Sequence, residues 1–192
     1  MADIKTQSLL YHLTDIANIP SILEKGLLSR SQLSDFVDVA DGDIIESRKN
    51  LGLEDYVPFH FFGGSPFDGR VQLDNADKNF ALISVRRTIA VANNWKIIPK
   101  HPLANGTVKV WEYSEGFDAI DWEKMNERDY HDEESRSICM AECLSPAMVI
   151  ASRFAYIFVA NDTNAATIRE QLKIAKLETN VTINPWLFLR KK

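Results

Sequence analysis

The chain has 192 residues, 45% hydrophobic and 26% charged, a balance that excludes general disorder and leaves enough chain to bury a core and a pocket. Its net charge of −5 weighs against a broadly basic nucleic-acid surface. Nine acids and two bases fall between Glu115 and Glu134, so that window carries −7 and the remainder +2, which still permits local binding of a phosphate backbone.

No Gly/Ser/Pro-rich linker divides the sequence, so a single domain over residues 1–192 is expected. The opening stretch MADIKTQSLLYHL lacks the basic n-region and apolar h-region of a secretory leader. The longest apolar run, Met148–Ala160, is cut by Ser152 and Arg153 and falls short of the ~20 residues that span a bilayer. A cytoplasmic chain without membrane association is expected. Cys139 and Cys143 are too few and too close for a disulfide framework. Read as strand residues they lie about 13 Å apart and cannot bridge. Structural zinc wants four ligands and only His131 stands nearby, so no metal is expected.

In chain order, strands are predicted over Ser8–Leu13, Val57–Phe62, Phe80–Val85, Thr107–Trp111, Ser137–Leu144, Ala155–Ala160 and Val181–Ile183. A short helix is predicted over Pro20–Gly26, with Pro in its first turn and Gly past its end; Ser21 and Glu24 also fit a capping box. Asp43–Glu46 is a second capping-box pattern, opening a helix to about Leu51 with Gly52 as its stop. The polar stretches Asp68–Asn79 and Ser114–Glu134 read as loops, and a loop as long as the second is usually functional or disordered. A last helix spans Thr163–Lys176, with Ile168, Leu172 and Ala175 on one face. Strands outnumber helices without βαβ alternation, which predicts an α+β fold.

Three clusters carry candidate chemistry. His12 and Thr14 share a strand face and present donors and acceptors suited to a sugar or amide, or simply cap a strand end. Arg48, late in a helix, serves either the helix dipole or as a fork for phosphate, and His60 reads as a core or pocket-wall histidine. Strand alternation over Ser137–Leu144 puts Glu142 on a face with Ile138, Met140 and Leu144. A carboxylate there is costly unless functional or paired, with Arg136 or Arg48 as partners. The acids before it read as a solvated loop, since hard cations need convergent oxygens. Walker A, Gly-x-Gly-x-x-Gly and Gly-x-Ser-x-Gly patterns are all missing, and too few long helices occur for a helix-turn-helix.

In this order, the segments YHLTDIANIPSILEKGLLS (11–29), IIESRKNLGLEDYVPFHFFGGSPF (44–67) and ICMAECLSP (138–146) resemble the DarT family of nucleic-acid ADP-ribosyltransferase toxins. The resemblance implies the ADP-ribosyltransferase fold: a split, mostly antiparallel β-core with flanking helices and NAD+ in the cleft. It implies that His12 meets the nicotinamide ribose or its phosphate. Leu13 (through its backbone) and Thr14 line the nicotinamide side, and Asn18 and Ser21 are further NAD+ contacts. Arg48 holds phosphate oxygens and helps orient the acceptor, and Glu142 is the catalytic carboxylate. Residues 114–137 become the acceptor-recognition loop. The implied activity is metal-free transfer of ADP-ribose to a guanosine or thymidine base of single-stranded DNA, by a toxin or phage-defence effector. The implied partner is an ADP-ribosyl hydrolase antitoxin of macrodomain type. Arg70, Lys78, Arg86, Arg87 and Arg136 are then candidate backbone contacts and Tyr130 a stacking residue. This chain departs from thymidine-modifying members in its acidic Asp129–Arg136 segment and in Gly63-Gly64, where basic residues are common. Transfer to RNA or protein, and a non-catalytic nucleotide-binding domain, are the competing readings.

Overall fold

A computed structural model describes residues 3–33, 36–37, 46, 48–101 and 109–189. Its centre is an eight-stranded sheet in the order β5-β4-β6-β2-β1-β3-β7-β8. The strands are β1 (Leu9–Asp15), β2 (Val57–His60), β3 (Phe80–Arg86), β4 (Lys96–Ile98), β5 (Trp111–Glu112), β6 (Glu142–Ser145), β7 (Phe154–Val159) and β8 (Asn180–Ile183). Neighbours are antiparallel except β7 and β8, which are parallel. The connection between those two is α7 (Asp162–Ala175), as a parallel crossover requires. The expected α+β class and mostly antiparallel core are both observed.

The sheet is split in its middle. β1 pairs with β3 along seven residues, but with β2 only through Tyr11 and His60. Beyond Tyr11, the backbone edge of β1 that faces β2 has no ladder partner among the described residues, so the two half-sheets part there. Register places Ile98, Glu142, His60, Tyr11 and Ser84 in one row across the strands, all facing the same side.

The two faces are packed unequally. One carries the main core, in which Leu10, Phe59, Ile83, Cys143 and Ile157 meet α1 (Ile19–Lys25) through Ile19 and Leu23 and α7 through Ile168 and Leu172. The opposite face carries two smaller clusters, Leu13/Val71/Phe80/Leu82/Phe188 and Leu53/Ile98/Leu144. Glu142 and His60 lie in the row between them.

Several expected elements differ. The stretch read as a loop from Asp68 holds α2 (Pro66–Asp74), started by a reciprocal capping box between Ser65 and Asp68. After α3 (Arg87–Ala92), the stretch read as a loop from Ser114 folds into α4 (Tyr113–Ala119), α5 (Trp122–Glu127) and α6 (Glu133–Ile138). Asp132 accepts the Ser135 N–H at 2.8 Å and so starts α6, which takes Ser137 and Ile138 out of the predicted strand. The strand begins only at Glu142. Ser21 and Glu24 form no capping box, because α1 starts at Ile19 after an uncapped Asn18. Residues 43–45 of the capping pattern from Asp43 and residues 107 and 108 of the predicted Thr107–Trp111 strand lie outside the described residues.

Gly116 lets α4 press onto β4 and β5. A Cβ there would stand 2.6 Å from Ile97 Cβ and 2.9 Å from Trp111 Cβ, atoms rooted on backbone. Gly116→Ala is expected to destabilise the protein by about 2 kcal/mol, overpacking outweighing the ~1 kcal/mol helix gain. Urea unfolding checks this; a stabilised variant would mean that α4 moves freely off the sheet.

Candidate active site

Glu142 opens β6, where it is 6% exposed. Burial of a carboxylate demands a partner. Of the two expected, the structure provides Arg48, while Arg136 is exposed on α6. Arg48 Nη1 donates to both carboxylate oxygens, at 2.8 and 2.7 Å. Its Nη2 is buried with no hydrogen-bond partner among the described residues. One terminal nitrogen therefore holds the carboxylate, and the other remains a donor for something else.

His12 sits at the split. Its Nδ1 lies 2.8 Å from the Pro58 carbonyl on the far half-sheet. A carbonyl only accepts, so Nδ1 carries the proton and Nε2 presents a lone pair. Burial, with His60 and Arg48 nearby, depresses the His12 pKa from 6.5 to about 4 against the opposing bond to Pro58. At neutral pH this ring is an uncharged acceptor, suited to a hydroxyl donor rather than a phosphate oxygen.

That shift has a stability consequence. Between pH 6.5 and 4 the unfolded chain binds the proton and the folded chain does not. The stabilisation is therefore complete above pH 6.5 and is lost as pH falls, by about 2 kcal/mol at pH 5. His101, also lowered by burial, adds in the same direction. In urea unfolding at pH 7.5 and 5.0, wild type should lose about 2 kcal/mol more than His12→Asn, which keeps the Nδ1 donor. Equal losses would show that His12 is not the group.

The other expected contacts are placed differently. Leu13 buries its side chain beside Leu82 and Phe188, leaving its backbone on β1 beyond the last pairing with β2. Thr14 is buried and accepts from Asn18 Nδ2 at 3.3 Å. The Asn18 amide also clamps Val37, donating to its carbonyl at 3.0 Å and accepting its N–H at 2.9 Å. Asn18 thus ties the segment leading toward Arg48 to the end of β1. Ser21 is exposed on α1.

Arg87 corrects an expectation. It is 6% exposed, so it is no surface contact for nucleic acid. It donates to the Leu9, Lys5 and Phe61 carbonyls and lies over the Phe61, Phe117 and Trp122 rings. Arg70 pairs with Asp74 at 2.7 Å on α2, Arg86 is exposed, and Tyr130 is half-buried against the main core. His60 is buried, as its apolar neighbours imply.

Two residues near the row escaped sequence reasoning. His101 stands by Glu142 and Arg48, its backbone N–H donating to the Ser137 carbonyl at 2.8 Å. Asp68 is fully buried in α2, with Oδ2 accepting the Gly64 and Ser65 N–H groups and Oδ1 without a partner among the described residues. The Ser65-x-x-Asp68 spacing was the available signal for Asp68; none pointed to His101. Cys139 and Cys143 are buried free thiols, and no cluster of three or more metal-ligating side chains occurs among the described residues. No helix among them is long and apolar enough to cross a membrane.

Comparison with known proteins agrees with this geometry. A family model for "ssDNA thymidine ADP-ribosyltransferase, DarT" matches residues 11–189. A DNA ADP-ribosyl transferase–DNA ADP-ribosyl glycohydrolase fusion protein of Thermosipho africanus (strain H17ap60334) is 27% identical over 176 residues, 85% of this chain and 45% of that protein. The chain thus spans less than half the length of that relative. Thermus sp. 2.9 DarT in complex with ADP-ribosylated ssDNA superposes with a TM-score of 0.84 at 20% identity, covering 95% of this chain and 96% of that one. Thermus sp. 2.9 DarT in complex with NAD+ gives 0.79 at 18% identity over 96% and 98%. At those identities the structural likeness is one of fold. With a split, mostly antiparallel sheet, a buried carboxylate in the row at the split paired to a guanidinium, and a family match from residue 11 to residue 189, the chain belongs to the DarT family of ssDNA thymidine ADP-ribosyltransferases.

Proposed function

We propose that this chain cleaves the nicotinamide–ribose bond of NAD+ and transfers the ADP-ribose to a thymidine base of single-stranded DNA. The observation that carries this reading is the buried Glu142 carboxylate in the row at the split, both of whose oxygens accept from a single guanidinium nitrogen of Arg48. The family description names thymidine and favours it over guanosine.

Nicotinamide leaves with the electron pair of the glycosidic bond, and positive charge develops on the ribose as in glycoside hydrolysis. Glu142 opposes that charge. The base nitrogen attacks the anomeric carbon and releases a proton. Within the pair only the carboxylate can take it, because a guanidinium does not give up its charge. The free Arg48 Nη2 is the donor for a phosphate oxygen. His12 Nε2 accepts from a ribose hydroxyl, and the backbone edge of β1 past Tyr11 meets the nicotinamide amide. Residues 114–137, which fold as α4–α6 and end four residues before β6, would select the acceptor within a single domain over 1–192. The base must be unstacked to be reached. A separate or fused ADP-ribosyl hydrolase would reverse the modification, as the name of the Thermosipho relative suggests.

The test is intact mass of short single-stranded oligonucleotides after incubation with protein and NAD+. A gain of one ADP-ribose unit is expected, absent from oligonucleotides lacking thymidine. Adducts on oligonucleotides without thymidine would reassign the base, and no adduct on any DNA would reject the reading.

A further inference from the structure

His60 carries chemistry that the reaction as proposed does not use. It stands opposite Glu142 in the β2–β6 ladder, and the ladder ends at that pair. Ala141, the residue just before Glu142, lies in the turn out of α6. That turn is held by the Ala141 N–H to the Ile138 carbonyl at 3.0 Å and the Met140 N–H to the Ser137 carbonyl at 3.1 Å. The Ala141 carbonyl falls outside the ladder, and the His60 side chain reaches it instead, Nδ1 donating at 3.2 Å.

The imidazole is itself fixed from α2. The Phe67 ring packs on it with centroids 5.1 Å apart at 34°. The buried Asp68 carboxylate is close enough that His60 is the foremost of the groups offsetting its burial. Asp68 cannot swing away, since Gly64 and Ser65 N–H groups hold its Oδ2 at 2.9 and 3.0 Å. A buried ring bonded to a carbonyl and packed against an aromatic face is held in place, and it spends its donor on the peptide that leads into Glu142.

We infer that His60 is a positioning residue for Glu142, its Nδ1–H extending the β2–β6 ladder by one bond and setting where the turn out of α6 delivers the carboxylate. The inference rests on the reading of Glu142 as the reacting carboxylate. α6 closes the acidic segment, so the same bond also ties the end of that segment to β2. A single bond of this length contributes modestly to stability. Its leverage is geometric: a misplacement of about 1 Å at a reacting group costs about 100-fold in rate.

Three substitutions in the full chain separate the possibilities. His60→Phe keeps the ring against Phe67 and removes the donor. His60→Asn places an amide nitrogen where Nδ1 lies, and His60→Gln places one where Nε2 lies. The readouts are kcat and KM for NAD+ in oligonucleotide transfer, and amide hydrogen exchange over residues 139–145. His60→Phe should lower kcat about 30-fold, leave KM within about threefold, and speed exchange in 139–145 about tenfold. His60→Asn should restore both readouts, and His60→Gln neither. Unchanged kcat and exchange in His60→Phe would overturn the inference, as would rescue by Gln rather than Asn. Should His60→Phe fail to fold, the contrast between Asn and Gln decides. Wild type without transfer activity would reject the proposed function, and the exchange data would still decide whether His60 holds the turn.

Discussion

Glu142→Gln is expected to lower ADP-ribose transfer by about 10³-fold while leaving NAD+ affinity within a few-fold. The amide matches the carboxylate in shape and keeps one oxygen for Arg48 Nη1, so the pocket should persist. It loses the negative charge that opposes the ribosyl cation and the basic site that takes the base proton. Both losses fall on the transition state and not on ground-state binding, which predicts a fall in kcat at constant KM. Single-turnover adduct formation followed by mass, with NAD+ binding by calorimetry, measures the two separately. Transfer within tenfold of wild type in a folded Glu142→Gln protein would remove Glu142 from the chemistry. A matching loss of NAD+ affinity would instead make it a binding group.

The site was legible in parts, and the misses have physical causes. Glu142 stood out because a carboxylate among apolar residues needs a reason, and that argument survived even though only the part of the predicted strand from Glu142 onward did. The alternation through Ile138 and Met140 was fortuitous, and a local helix cap at Asp132 overrode it. α2 was hidden because two of its three buried residues, Asp68 and Gln72, are polar, so hydrophobic periodicity had almost nothing to register. Arg87 looked like a surface base because sequence shows charge and not burial; three carbonyls and three aromatic rings make it a core residue. The Arg48–Glu142 pair joins residues 94 apart, and only the fold decides between Arg48 and Arg136. The split in the sheet, on which the site depends, is a matter of strand pairing and left no mark in composition.

Arg48 should show two separable roles. Its side chain is 13% exposed and that of Glu142 8%, so the pair is largely removed from water. Arg48→Met leaves Glu142 as a buried charge with no counter-ion, at an expected cost of about 3 kcal/mol. The double variant Arg48→Met/Glu142→Leu removes both charges and should be more stable than Arg48→Met alone, because only the unpaired ion is penalised. Arg48→Lys keeps a cation for the carboxylate but loses the second terminal nitrogen, the one that is buried and unpartnered. It should therefore recover most of the stability lost in Arg48→Met yet still transfer ADP-ribose about 30-fold more slowly, with a raised KM for NAD+. Urea unfolding of the four proteins and transfer kinetics of the two single variants test this. Full activity in Arg48→Lys would reduce Arg48 to a counter-ion. An inactive, stable Lys variant would locate its function in Nη2, the donor that the ion pair with Glu142 leaves unspent.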